Sequence, residues 1–442
     1  MVRAVTALAN LALFGSAIAA SSAKCAANNK CPEDSPCCSQ YGECGVGAYC
    51  LGGCDPLSSF SLDACMPAPV CQDRTMKMDS LDGIMDQSEY LGDPSTADWV
   101  ASGTPLVYNG NVLLTMPANS SGTVLASTVY MWYGNVSVTM KTSKDAGVIT
   151  AFIFLGDVKD EIDLEWVGTE LDIAQTNFFW QAQSVEGSPG NITGLSNVNE
   201  NFHTYTVEWL PESIKWYVDG KLGMTRLKSD TWNATGNQWD YPQTPARIQL
   251  SVWPGGASSN APGTIEWAGG PIDWDSDAIK DDGYYYATIG EVTFDCYQTD
   301  KAPGTNSGKS YTYNGASGLN TTVEDGDKNT TMASIFNTGL DPNKSQDDDE
   351  PSQSTAATVP GGRTQGTGQG GPSQDGSGSG KGGTNDGGDS SNDSGSGSCT
   401  SGSFSQNGCD EDGSGTSEGA RNGAFDASAF AALVAVAGML WL

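Results

Sequence analysis

The stretch KDEIDLEWVG, Lys159 to Gly168, sets acids at Glu161, Asp163 and Glu165 and apolar residues at Ile162, Leu164 and Trp166. Successive side chains of a β-strand point to opposite faces, so the stretch reads as a strand with one acidic and one greasy face. Three carboxylates this close repel. The usual relief is that one keeps its proton with a raised pKa, a state useful for catalysis. The plainer alternative is a solvated strand face that happens to be acidic.

Around it, from about Met76 to Cys296, short alternating runs are split by Gly, Asn, Asp and Pro, as in GNVSVTMKTS, HTYTVEWL, SIKWYVDGKL and RIQLSVWPGG. That is the texture of an all-β sandwich, with a hairpin turn expected at Asp219-Gly220. If Ile248, Leu250 and Val252 face inward, Gln249, Ser251 and Trp253 face the other way, and Gln175, Asn177 and Phe179 share one side of IAQTNFFW. Amides for hydroxyls and rings for sugar faces suggest a carbohydrate cleft. Gln175, Asn177, Trp180, Trp253 and Trp267 are the candidate lining residues. Ordinary aromatic packing is the alternative.

The 442 residues do not read as folded throughout. From about Ser307 to Arg421 the chain fills with Gly, Ser, Asp, Asn and Thr, a composition that builds no core and reads as a disordered stalk. Residues 1–20 have Arg3, an apolar run and a small-residue end at Ala17-Ile18-Ala19-Ala20, the layout of a secretory signal. Residues 423–442 end in a short apolar run after small residues, which fits a signal for a glycosylphosphatidylinositol (GPI) anchor, removed on attachment, better than a spanning helix. A net charge of -32 argues against nucleic acid as a partner. Sequons at Asn119, Asn135, Asn191, Asn233, Asn320, Asn329, Asn343 and Asn392 suit a secreted, glycosylated surface protein.

Twelve cysteines in such a chain read as disulfides rather than metal ligands. Nine lie between Cys25 and Cys71, and an odd number cannot close among themselves. One of Cys54, Cys65 and Cys71 is therefore expected to pair with Cys296, and Cys399 with Cys409. The segment CAANNKCPEDSPCCSQYGECGVGAYC, with its adjacent Cys37-Cys38 and the Ser-x-aromatic-Gly run after it, resembles hevein-like chitin-binding modules. The resemblance implies bridges Cys25 to Cys38, Cys31 to Cys44 and Cys37 to Cys50, and sugar contacts from Ser39, Tyr41 and Tyr49. Glu43 stands where plant relatives often have a second aromatic. A disulfide knot that only caps the enzyme is the other reading.

The Glu161-Ile-Asp163-Leu-Glu165 run, the QTN after it, and the Trp209, YVDG and VWPGG segments together resemble family-16 glycoside hydrolases. Within them the chain is most similar to the Crh-type cell-wall transglycosylases of fungi, over roughly residues 25 to 300. The resemblance implies a signal (1–20), a hevein-like module and linker (21–71), a jelly-roll β-sandwich catalytic domain (72–300), a disordered glycosylated stalk (301–422) and the anchor signal (423–442). It implies a retaining reaction on chitin, with Glu161 as nucleophile, Glu165 as general acid/base and Asp163 as auxiliary, and transfer to β-glucan or chitin. Both working groups are carboxyls, so an acidic optimum is expected. The protein would be a monomer at the cell surface, held to the membrane by its anchor, with no cofactor. His203 is the only histidine, which leaves little scope for a histidine triad or zinc site. Two other functions stay open: a hydrolytic endo-β-glucanase or chitinase, and an inert chitin-binding wall protein.

Overall fold

β-branched and aromatic residues alternate with polar ones along most of the central region; GNVSVTMK, HTYTVEWL and SIKWYV form strands with one face buried, whereas EIDLEWV and ARIQLSVWP form strands buried on both faces. The computed structural model describes residues 23–344, 358–360 and 363–364. The expected signal, the anchor signal, most of the stalk, Asn392 and the Cys399 and Cys409 pair lie outside the described residues. Asn119, Asn191, Asn329 and Asn343 are exposed.

Two large sheets form the body. The one that carries the acids has, in chain order, β1 (Ile84–Asp86), β2 (Trp99–Ser102), β3 (Thr123–Met131), β4 (Val148–Gly156), β5 (Glu161–Val167), β6 (Ile173–Trp180) and β7 (Ala246–Pro254). They lie side by side as β6-β5-β4-β7-β3-β2-β1, and only β1 and β2 run parallel. Gln183–Ser184 and Gly190–Thr193 pair with the outer side of β6. The second sheet centres on Gly134–Lys141 and the long strand Tyr284–Cys296. Its hairpin Ser213–Val218 to Lys221–Leu227 turns at Asp219-Gly220, both with positive φ (51° and 76°), the geometry of a two-residue turn that matches strand twist.

The core lies between the sheets. Phe152, Ile162, Leu164, Trp166, Leu250 and Val252 from the acid-bearing sheet meet Val136, Tyr205, Val207, Trp209, Trp216 and Val292 from the other. Trp166 packs edge-on to Tyr205 with ring centroids 4.5 Å apart. Trp216 of the second sheet also donates its Nε1–H to the carbonyl of Asp163 at 3.0 Å, so the core pins the backbone at the middle acid. His203 sits on the second sheet, bonded to Asp219 and Ser196, where it serves packing.

The bridges are Cys25–Cys38, Cys31–Cys44, Cys37–Cys50, Cys54–Cys65 and Cys71–Cys296, the last joining the start of the sandwich to the end of its long strand. A correction concerns the stalk. Structure does not stop at residue 300: Ser310–Tyr313 pairs with Val323–Gly326 and with Ala68–Pro69, and Tyr311 and Val323 join the main core. Met332 reaches the core of the cysteine-rich module, and the Asn337 carbonyl accepts from the Gly47 N–H. Averaging composition over a long polar tract hid these few apolar anchors.

Candidate active site

The register of β5 places Glu161, Asp163 and Glu165 on the face turned away from the core, since Ile162, Leu164 and Trp166 fill it. Strand pairing then sets three rows across that outer face. Gln175, Glu165, Ala151, Ser251 and Val124 form one; Asn177, Asp163, Ile153, Gln249 and Ala126 the next; Phe179, Glu161, Leu155, Arg247 and Tyr130 the third. Along an extended strand the Cα atoms of Glu161 and Glu165 stand about 13 Å apart, so their side chains must lean toward Asp163 to act on one bond.

All three acids are buried, at 7%, 1% and 8% exposure. Burial pushes the Glu161 carboxyl up to about 7, while Asp163 and the Lys159 ammonium draw it down. Burial and the neighbouring Glu161 charge push Glu165 up to about 8. Asp163 is driven well above the carboxylate range by burial first, then by Glu161 and Glu165. No donor reaches either Asp163 oxygen among the described residues. What lies beside it is the Glu161 carboxyl, and two carboxyls in contact are tolerated when one holds a proton and donates it to the other. The larger upward push on Asp163 favours the proton there and the charge on Glu161. The burial of all three excludes the solvated acidic face considered above.

The proposed lining residues divide. Gln175 flanks Glu165, accepts from Trp267 Nε1 at 2.8 Å and donates to Glu170 at 3.0 Å. Trp253 and Trp267 stack at 6.0 Å over a small apolar patch with Ala151 and Ile149. These three come together beside Glu165. Asn177 is on the outer face, but its Oδ1 is already taken by Ser188 and by the Phe178 N–H. Trp180 is 5% exposed and has, by alternation along β6, the parity of the core residue Phe178, whereas Phe179 is the ring that shares the row of Glu161. Lys159, Arg247 and Gln249 flank the acids as well. The alternation of RIQLSVW carried Gln249 and, by the same parity, Arg247; nothing in the sequence marked Lys159, which stands just before the strand with φ 68°.

A second correction concerns the module. Ser39, Tyr41 and Tyr49 are 2%, 7% and 3% exposed, so none offers a free face to a sugar. The Ser39 hydroxyl accepts from the backbone N–H of Tyr41 and Glu43, and the Tyr49 ring packs with Cys37, Cys50 and Leu51. A flat ring that can stack on a pyranose can equally pack on protein, and here it does.

Comparison with known proteins gives a match to glycosyl hydrolases family 16 over residues 94–269. Crh-like protein 3 of Botryotinia fuckeliana is 55% identical over 317 residues, 72% of this chain and 71% of that one. Crh-like protein 2 of Aspergillus fumigatus is 49% identical over 337 residues, 76% of each chain. Among solved structures, a Crh5 transglycosylase in complex with NAG is 25% identical, with a TM-score of 0.49, covering 62% of this chain and 99% of that one.

Proposed function

The chain belongs to the Crh-like proteins of glycosyl hydrolase family 16, and from that membership we propose that it is a cell-wall transglycosylase that cuts chitin and passes the fragment to β-glucan or chitin. The observation that carries the reading is the buried row of Glu161, Asp163 and Glu165 on the outer face of β5. Glu161, kept ionised by the Asp163 proton and the Lys159 charge, attacks the anomeric carbon. Glu165, the acid whose pKa stands above that of Glu161, gives its proton to the departing oxygen. A glycosyl ester on Glu161 results. Glu165, now a carboxylate, takes the proton of the incoming hydroxyl as that oxygen displaces Glu161 and restores the free enzyme. Water as acceptor gives hydrolysis and a sugar hydroxyl gives transfer. The partly exposed Trp267 beside Glu165, backed by the buried Trp253, favours a sugar, because a ring face binds a pyranose and excludes water. The apolar run of residues 423–442 supports a GPI anchor at the cell surface.

The test is to incubate the secreted domain with chitin oligomers and a fluorescent β-glucan oligomer and to size the products. Growth of the fluorescent oligomer is expected in wild type, and loss of all turnover by more than about 1,000-fold in Glu161→Gln. Shortened oligomers with no growth of the label would make the protein a hydrolase, and turnover retained in Glu161→Gln would remove that residue from the chemistry.

A further inference from the structure

The cysteine-rich module reaches onto the same face as the acids. Gln40 is 9% exposed, and its Oε1 accepts from Arg247 Nη2 at 2.8 Å and from Gln249 Nε2 at 3.0 Å. Its backbone carbonyl accepts from Lys159 Nζ at 3.0 Å. Arg247 and Gln249 stand on β7 in the rows of Glu161 and Asp163, with β4 alone between β7 and the acid strand. At the usual strand spacing the Gln40 loop therefore crosses the outer face about 10 Å from the acids. Beyond it, Ser39, Gln40 and Tyr41 line one side of a small cavity whose other side is Val124 and Ala126 of β3 and Val100 and Ser102 of β2.

The module is not loosely tethered. Cys37, Cys50 and Leu51 share a buried cluster with Tyr90 and Met332, and the Gly53 N–H donates to Tyr130 Oη and Asp157 Oδ1. At Gly52 a Cβ would fall 2.4 Å from Arg247 Nη1, so the missing side chain is what lets the guanidinium lie against the module backbone. Two polar groups remain without a partner where the loop meets the sheet. Arg247 Nε is buried and unbonded, and Gln40 Nε2 makes no hydrogen bond to a described residue.

We propose that the Ser39-Gln40-Tyr41 loop is a fixed end wall of the substrate groove, and that the amide of Gln40, held by Arg247 and Gln249, makes the last sugar subsite on that side. A polysaccharide lying across β5 and β4 meets the wall at β7 and has to leave the sheet there. A short oligosaccharide segment, whatever the length of the polymer, is then recognised on that side of the scissile bond. The module acts as part of the groove instead of as a separate adhesive.

This inference rests on the chitin reading above and is tested on a series of chitin oligomers of increasing length. For wild type, kcat/KM should rise with length and then level off. Gln40→Ala should lower it about three- to tenfold for oligomers long enough to reach the plateau and leave the shorter ones unchanged, the loss expected for one sugar hydrogen bond. Gln40→Asn, which keeps an amide but shortens its reach, should show the same length-confined loss, and thermal unfolding checks that both variants fold as wild type does. A loss equal at every length, no loss at any length, or a wild-type rate that climbs without a plateau overturns the end wall. Absence of wild-type activity on every chitin oligomer instead overturns chitin as donor, and the same length-confined effect is then required on the β-glucan oligomers the enzyme does cleave.

Discussion

Lys159 shows how one side chain outside the acid row governs it. Its ammonium lowers the Glu161 pKa while its own is lowered, by burial first, so a partly buried cation is held beside Glu161. Lys159→Met should therefore shift the acid limb of the pH–rate bell upward and leave the alkaline limb, set by Glu165, in place; a pH profile of kcat/KM measures both. The limbs belong to the interacting pair, and both should lie above the ordinary glutamate value of about 4.3. The same burial has a cost in stability. Glu165 binds its proton more tightly folded than unfolded, so folding is penalised as pH rises from the unfolded value near 4.3 through about 8. Glu165→Gln removes that penalty. Denaturant unfolding should find the inactive variant more stable than wild type by up to about 5 kcal/mol at pH 8, with no difference at pH 4. Equal stabilities at both values would mean that Glu165 is not desolvated.

At the scale of the element, the acid strand is legible because its period of two is unbroken, with acids outward and Ile162, Leu164 and Trp166 inward. The strands beside it follow the same rule, which is how Gln175 and Trp253 could be placed from sequence. At Trp180 the expectation departs from this rule. Counting rings in a cleft-rich sequence favoured it, whereas parity along β6 reserves the outer face for Phe179. Trp267 comes from outside the sheet, on the short helix Pro262–Trp267, and its indole N–H fixes the Gln175 amide. Trp267→Phe keeps the stack on Trp253 but drops that bond. It should raise KM about fivefold, near 1 kcal/mol, with kcat little changed, as read from Michaelis curves on soluble oligomers. A fall in kcat with unchanged KM would mean that Gln175 serves the transition state instead.

For the whole molecule, the Cys71–Cys296 bridge closes a separation of 225 residues and holds the entry strand region to the end of the longest strand. A loop of that length gives the bridge up to about 5 kcal/mol on the chain-entropy account, so the double variant Cys71→Ala/Cys296→Ala should unfold at clearly lower denaturant concentration while the four bridges between Cys25 and Cys65 persist. Local pattern determined much of this protein. Alternation set the strands and their buried faces, Asp219-Gly220 set a hairpin, and EIDLE set the acid row, because each depends on residues within a few positions of one another. The odd count of nine cysteines required a bridge out of the amino-terminal region, yet it did not say which cysteine made it. Tertiary structure alone decided that choice, the ordering of residues 301–344 through Tyr311, Val323 and Met332, the burial of Tyr41 and Tyr49, and the approach of Gln40 to Arg247 across a sequence distance of 207. The physical reason is that burial and partnership between distant segments follow from which surfaces the fold brings into contact, and a ring or amide carries the same local signature whether its face meets a sugar or another part of the chain.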